Sequence, residues 1–380
     1  MRVVICADAH LDSVFPVFRK NAAKTQTRRE EQKLAFSKAV DEVKRTDAHL
    51  LLLPGDLFCA KNVSQETLDF LAEAFRSIPN TFVLIAPGNH DPITADSPYN
   101  MNIWPDNVYI FKKDLEAIEL SYEDTQETVR VYGAGFHGHF CRSSLLRHNN
   151  TLPVLDKSSL NLLVMHGNII DAGGKSDYNP IYKEDIDTCG FDLCVLGHVH
   201  KYSGILKAGN TPYVYPGTCE GRNFEETGTC GILSGSITKE GMQLEFIPTS
   251  VRENHIVEVD ISGLETYEQI MNAVRSKCVH PGWLYKVILN GKKCRDLYFS
   301  LNELSADISE SYFYIRLSAE YEDETGALHL KDENSLRGCF VRCMLEQIEA
   351  ASPEDKDIYN KAMQYGLQAF EGEVLFSDNP

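Results

Sequence analysis

Along the first two-thirds of the chain, short apolar runs alternate with amphipathic stretches, and each run stops at a small polar cluster. Val3 to Ala7 ends at Asp8-Ala9-His10, and Leu50-Leu51-Leu52-Leu53 ends at Pro54-Gly55-Asp56. Phe82-Val83-Leu84-Ile85-Ala86 ends at Gly88-Asn89-His90-Asp91. A short apolar run that halts at glycine reads as a buried strand entering a loop. Between these runs, helical spacing extends from about Thr27 to Arg45, with Leu34, Ala35, Phe36, Ala39, Val40 and Val43 on one face. Phe15 to Lys24 reads as a connection. A second helix begins at Ser64 and presents Leu68, Leu71, Ala72 and Phe75. Strand–helix alternation of this kind predicts an α/β domain. Asp8, Asp56 and Asn89 then fall at C-terminal strand ends, where open sheets bind ligands.

The pattern continues further along. Leu162-Leu163-Val164-Met165 ends at His166-Gly167-Asn168, and Phe191 to Leu196 ends at Gly197-His198-Val199-His200. Pro212 to Tyr215 ends at Pro216-Gly217-Thr218, and strands near Thr229 to Ser234 and Met242 to Pro248 close the domain. Ser97 to Val108 reads as an ordered surface loop. Phe136-His137-Gly138-His139 has the form of a metal motif, but the strand before it is less uniformly apolar, so it reads as a decoy. Near Val251 the character changes to a β-α-β-α-β unit without ligand motifs. Its helices fall near Thr266 to Lys277 and Leu297 to Ile308. The segment Ser335 to Gly372 is helical in pattern, broken at Ala351-Ser352-Pro353. The expected organisation is a domain over 1–250, a small α/β domain over 251–330 and a helical tail over 331–380.

The bulk numbers change the picture in two ways. A net charge of −18 over 380 residues argues against a broad basic surface for nucleic acid. A local positive channel remains compatible with it. From Lys331 to Pro380 acidic residues outnumber basic ones ten to five, which suits protein docking better than DNA clamping. The eleven cysteines form no C-x-x-C and read as reduced thiols. The N-terminus does not read as a signal peptide, and no apolar run reaches membrane-spanning length. A cytoplasmic location, without membrane attachment, is the expectation.

Asp8, His10, Asp56, Asn89, His90, His166, His198 and His200 are the candidate chemical groups. One Asp-x-His or His-x-His is ordinarily a surface turn. Five such motifs at five strand ends, all directed to one edge of one sheet, are not. Carboxylate, imidazole and amide donors without thiolate suit manganese or iron, and also zinc; magnesium is a further option. There are too many donors for one ion, and two ions sharing a carboxylate account for them. Such a pair clamps the attacking and leaving oxygens of a phosphoryl transfer.

The series Asp-x-His, Gly-Asp, Gly-Asn-His-Asp, His-Gly and Gly-His-x-His resembles the calcineurin-like metallophosphoesterases. Ala7-Asp8-Ala9-His10-Leu11-Asp12-Ser13, Gly55-Asp56-Leu57-Phe58 and Arg222-Asn223-Phe224-Glu225-Glu226-Thr227-Gly228 are similar to the SbcD-type DNA repair nucleases, in particular the bacterial YhaO-like branch. The resemblance covers about Met1 to Pro248. It implies a four-layer α+β sandwich with a small α/β capping domain and a C-terminal helical segment. It also implies that Asp8, His10, Asp56 and His200 hold one metal. Asp56, Asn89, His166 and His198 would hold the other. By the same resemblance His90 stabilises the scissile phosphate and Asp91 orients His90. Arg222 is a candidate phosphate contact or a plain salt-bridge partner. Cys59 and Asn223 depart from the family pattern, which usually has an acidic residue and often a histidine there.

The implied activity is cleavage at DNA ends, as a 3′-to-5′ exonuclease with endonuclease activity. The implied partners are DNA, an SbcC-like ATPase and a second copy of the chain. Arg19, Lys20, Lys24, Arg28, Arg29, Arg142 and Arg147 are candidates to line a DNA path. A metallophosphoesterase for a smaller phosphodiester or a phosphoprotein is the alternative. A non-catalytic scaffold would have lost ligands, and here none is lost.

Overall fold

Strands buried on both faces must be apolar throughout, and the central ones of the first two-thirds of the chain, through Val3–Ile5, Leu50–Leu53, Val83–Ile85 and Leu193–Leu196, are. The computed structural model describes residues 1–122, 127–147, 151–294, 297, 299–321, 330–352 and 355–370. The chain divides into two compact units, Met1–His255 and Ile256–Pro380.

The first unit opens with β1 (Arg2–Ile5), α1 (Ala22–Thr46), β2 (Leu50–Leu53), α2 (Gln65–Arg76), β3 (Phe82–Ile85) and β4 (Val108–Ile110). There follow β5 (Glu116–Ser121), β6 (Thr128–Gly133), β7 (Leu160–His166), β8 (Asn168–Ile170), β9 (Pro180–Tyr182), α3 (Lys183–Cys189) and β10 (Leu193–Gly197). It closes with β11 (Leu206–Ala208), β12 (Thr211–Val214), β13 (Gly231–Thr238) and β14 (Gly241–Pro248). One six-stranded sheet has the order β14-β13-β1-β2-β3-β4, with β1 to β4 parallel. The other has the order β11-β12-β10-β7-β6-β5, with β12, β10, β7 and β6 parallel.

The twofold alternation of side chains along each strand builds the layers. Val3, Ile5, Leu50, Leu52 and Leu84 share one core with Val131, Leu162, Val164 and Val195 of the other sheet. Val4, Leu51, Leu53, Val83 and Ile85 point the other way, into Phe36, Ala39, Val43, Leu71 and Phe75 of α1 and α2. The outer face of the second sheet packs Leu163, Met165 and Leu196 against Ile186 of α3, Phe136 and Phe191. The result is the expected four-layer α/β sandwich.

Several local expectations are corrected. The ligand-bearing strand ends belong to two packed sheets, not to one. Parallel strands with similar apolar runs do not reveal which sheet they join. α1 starts at Ala22, where the Asn21 side chain caps Lys24 N at 3.0 Å. Its first turns are too polar to show periodicity. Leu34 is 51% exposed. At about 100° per residue it lies opposite the stripe of Gln32, Ala35, Phe36, Ala39 and Val43. The loop from Ser97 is not all surface, since Tyr99 is buried.

The second unit contains β15 (Asn254–Asp260), α4 (Tyr267–Lys277), β16 (Leu284–Asn290), α5 (Leu301–Ser309), β17 (Tyr314–Ala319), α6 (Leu336–Ala350) and α7 (Lys356–Phe370). Its sheet has the order β15-β16-β17, with β16 and β17 parallel. Ile270, Val274, Val287, Leu289, Leu304 and Ile308 form its core. Thr266 and Gln269 close a capping box at the start of α4. Of the tail expected to be helical to Gly372, residues 353, 354 and those from 371 onward lie outside the described residues. No helix among the described residues is long and apolar enough to cross a membrane.

Candidate metal centre

The two sheets bring their loaded strand ends together. Past β1 the chain turns sharply, with Asp8, His10 and Asp12 at φ 48°, 45° and 59°. Past β2, Asp56 takes φ 51°. Left-handed backbone costs roughly 1–2 kcal/mol for a residue with a Cβ, least for Asp and Asn, and such strain clusters at functional sites. The two loops run together through Asp8 N to Gly55 O (3.2 Å), His10 N to Asp56 O (2.9 Å) and Leu11 N to Leu57 O (3.0 Å). Gly88 is required for close approach. A Cβ there would lie 2.4 Å from Asp56 Oδ1 and 2.8 Å from His166 Nδ1.

Asp91 ties this arrangement together. Its buried carboxylate accepts from Asp56 N (3.1 Å), Gly88 N (2.6 Å), Leu57 N (2.7 Å) and the Tyr99 hydroxyl (2.7 Å). Those four donors occupy it, so it fixes the loops on either side of His90. Burial, together with the Asp56 charge, pushes its pKa up to about 6. It is Asp56 that holds His90, through the backbone N–H at 2.8 Å. The His90 ring stands at the mouth, 4.9 Å from the His10 ring, and burial lowers its pKa.

From the second sheet come His166, at the end of β7, and His198 and His200, just past β10. His166 Nδ1 donates to Pro54 O at 3.1 Å. The neutral ring then presents Nε2 as an acceptor, yet Nε2 lies 2.9 Å from Asn89 Oδ1 and 3.5 Å from Asp56 Oδ2. Likewise His10 Nε2 lies 3.2 Å from His200 Nε2 and 3.4 Å from Asp56 Oδ2. Acceptors facing one another repel unless cations sit among them. With metal–donor bonds of about 2.1 Å, neighbouring donors around one ion are about 3.0–3.4 Å apart, which is the spacing here. Asp56 Oδ2 is close to imidazoles from both groups, the position of a bridge. Burial, helped by the Asp56 charge, pushes Asp8 up to about 6 despite the opposing pull of His200 and His166. Burial also lowers His10, and it takes His198 down to about 4. Such a set fits a pair of metal ions, which would supply the missing positive charge.

The sequence candidates are thus distributed as follows. Asp8, His10 and His200 form one potential ligand triple, and Asp8, Asp56 and His166 form another. Asn89 joins through its contact with His166. The His198 ring joins neither triple; it lies edge-on to His166 at 5.2 Å, while its backbone N–H binds Asp8 at 3.0 Å. Of the two readings of Arg222, the structure shows the salt bridge. Its Nη2 lies 2.7 Å from Glu226 and 2.9 Å from His200 Nδ1, with the same Glu226 oxygen 2.7 Å from His200 Nδ1. Burial works against charge on Glu226, but His200 and Arg222 hold its pKa down at about 2. A carboxylate on Nδ1 fixes a histidine with Nε2 directed to the metal.

Other residues carry more than their motifs suggested. Cys59 Sγ lies 3.8 Å from His10 Nδ1 and forms a third triple with His10 and His90. Asn223 caps its own turn by accepting from Glu225 N at 2.7 Å. Asp12 accepts from Ser64 N and Oγ, tying the first loop to the start of α2. His139, within the motif read as a decoy, lies 2.8 Å from Asn89 O, whereas His137 pairs with Asp114. Sequence reasoning gave no role to Tyr99, Asn179 or Glu226. Asn179 is buried at φ 43°, donates to His166 O at 2.8 Å and accepts from Leu145 N at 2.8 Å. Only Glu226 had a signal, four residues after Arg222 within a quoted motif.

Comparison with known proteins agrees with this chemistry. Residues 1–202 match the calcineurin-like phosphoesterase family. The uncharacterized metallophosphoesterase YhaO of Bacillus subtilis (strain 168) is 26% identical over 254 residues, which is 63% of this chain and 58% of that protein. The chain therefore spans less than two-thirds of that relative's length. Among solved structures, a dimetal phosphatase from Danio rerio is 10% identical with a TM-score of 0.44, over 66% of this chain and 96% of its own. The protein TT1561 of Thermus thermophilus is 13% identical with a TM-score of 0.37, over 65% of this chain and 98% of its own. With over half of its length matched, the chain belongs to the calcineurin-like phosphoesterases, a family of metal-dependent phosphoester hydrolases.

Proposed function

We infer that the protein is a two-metal phosphodiesterase acting on DNA ends, as an exonuclease with endonuclease activity, alongside an SbcC-like ATPase. The observation that carries the diesterase reading is the position of His90. Its ring stands exposed beside the buried donors, held by Asp56 through its backbone, where a substrate oxygen would lie. Asp8, His10, Asp56 and His200 would hold one ion; Asp56, Asn89, His166 and His198 would hold the other. When bound, such a pair polarises a phosphoryl oxygen and makes a water acidic enough to react at neutral pH. His90 stabilises charge developing on the scissile phosphate and assists the departing oxygen. Glu226, itself held by Arg222, accepts from Nδ1 and so keeps His200 in the tautomer whose Nε2 faces inward.

The DNA assignment is supported by the SbcD-like motifs, although the residues in them build the frame of the site. The tail supports a docking role, since α6 and α7 expose Leu336, Ile358 and Tyr365. One observation favours the smaller-substrate alternative. Arg28, Arg142 and Arg147 spend their charge on Glu31 and Glu220, Asp177 and Asp185, which leaves Arg19 and Lys20 as the exposed cations nearest the first loop in sequence. An ATPase partner with its own basic surface would compensate.

The test is cleavage of end-labelled duplex DNA with manganese, run beside a small diester and a phosphomonoester. Shortening of the duplex from its ends supports the nuclease reading. Turnover of the small diester alone transfers the assignment to the alternative, and preference for the monoester sinks both diester readings.

A further inference from the structure

The loop that begins at Phe136 lies outside the two ligand triples that face Asp8, yet it is fastened to the metal centre. Phe136 N donates to Pro87 O at 3.0 Å, and His139 Nδ1 lies 2.8 Å from Asn89 O. Cys141 N donates to Asp177 O at 2.7 Å, and Asn179 N donates back to Cys141 O at 2.6 Å. Asn179 in turn holds the His166 carbonyl. These contacts position a ladder of rings. His198 lies 4.8 Å from Tyr178 at an interplanar angle of 35°, and Tyr178 lies 5.9 Å from Phe140 at 34°.

The ladder ends in water. Phe140 is 62% exposed although its loop is pinned on both sides. It also borders a cleft of about 390 Å³ lined by Asp114, His137, Ser143 and Ser144, within the range of small-molecule sites of roughly 300–1,000 Å³. The Ser144 hydroxyl is buried there without a hydrogen-bond partner among the described residues. A flat apolar face with polar groups around its rim matches a nucleobase, which has a π-face and donor and acceptor edges. An aliphatic group would leave the rim unpaired, and a phosphopeptide without an aromatic side chain would leave the Phe140 face without a stacking partner.

We propose that Phe140, backed by Tyr178, is the stacking platform for the nucleobase beside the scissile phosphate of a nucleic acid end. The inference rests on the phosphodiester reading and adds to it the group that the enzyme grips next to the bond it breaks. Stacking is tolerant of base identity, so the platform would position an end without selecting its sequence.

The experiment uses the full chain with manganese and two sets of oligonucleotides, one ending in ordinary nucleotides and one ending in abasic sites. The unsubstituted protein should show a KM about tenfold lower for the ordinary ends, the effect of one aromatic–base stack. Phe140→Ala should erase that difference, and Phe140→Trp should keep it. In parallel, 2-aminopurine placed at the end reports stacking by quenching without turnover. Quenching should occur with the unsubstituted protein and Phe140→Trp and disappear with Phe140→Ala. Equal KM values for both ends, or discrimination retained by Phe140→Ala, overturns the platform and leaves the nuclease reading standing. Quenching that depends on Phe140 without any cleavage upholds the platform and removes the nuclease reading. Absence of quenching with the unsubstituted protein overturns the platform whatever the cleavage result.

Discussion

In both units a helix joins two neighbouring parallel strands: β1–α1–β2 in the first, β16–α5–β17 in the second. Their strand ends differ. All seven non-glycine residues at positive φ among the described residues lie in the first unit, and Asp8, His10, Asp56 and His198 are among them. In the second unit the left-handed positions fall to Gly263 and Gly291, at φ 75° and 89°. One unit forces polar side chains into costly backbone so that they converge; the other takes the cheap turn and converges nothing. Parallel β/α construction is therefore insufficient for a site. What distinguishes a loaded edge is strain held by a saturated buried network, here Asp91 with its four donors.

The contrast can be broken or sharpened by experiment, with the second unit as internal control. The largest effect belongs to Asp56→Asn. Asn tolerates the left-handed backbone, so the change removes the bridging charge with little added strain. Metal content by plasma mass spectrometry should fall from two ions per chain to one or none, and hydrolysis should stop. Two ions retained would remove Asp56 from the bridge. His90→Gln should lower the rate of diester hydrolysis by about 10²–10⁴-fold while both ions stay bound. Loss of an ion would make His90 a ligand instead.

Glu226→Gln is expected to weaken the ion at His200 by about 10–100-fold in a competition titration, with the ion at His166 unaffected. Equal weakening of both would mean that the Glu226–Arg222 pair supports the whole edge. The smallest effect is on melting. Chelation should lower the transition of the first unit by a few degrees and leave that of the second in place. In the chelated protein, Asp8 and Asp91 have folded pKa values of about 6 against an ordinary 3.8. A raised carboxyl binds its proton more tightly when folded, so each of the two contributes stability that fades as pH climbs from about 4 to 6, while His10, His90 and His198, held below the ordinary imidazole value, pull the other way over the same interval. Calorimetry of the chelated protein beside Asp91→Asn at pH 5 and pH 7 isolates one carboxyl: the advantage of the unsubstituted protein should shrink from pH 5 to pH 7, and a growing advantage would contradict it.

Much of this was legible in the residues. Apolar runs ending at Asp8, Asp56, Gly88, His166 and Gly197 marked the strands and their loaded ends, because burial on both faces leaves a continuous signature. The assignment of those strands to two sheets was not legible. Val3 and Val164 look alike, and only packing shows that they face each other. The partners of Asp91 are not legible either, because three of them are backbone N–H groups that any residue could supply and the fourth is the distant Tyr99 hydroxyl. Tyr99 and Asn179 were missed for a related reason. A tyrosine or asparagine that completes a distant hydrogen-bond network has no local pattern.

One contact between the sheets reaches beyond the site. The Pro54 carbonyl belongs to the first sheet, and it is met by His166 Nδ1 at 3.1 Å and by Gly197, where a Cβ would lie only 1.9 Å away. At that oxygen the second layer has no slack. The centre therefore works as a vernier on the sandwich. Slip of one layer past the other by a fraction of a bond length would register first as altered grip on the ions, before either sheet gives up a hydrogen bond. On warming, metal release should therefore precede the loss of strand structure, an order that metal content read beside circular dichroism checks.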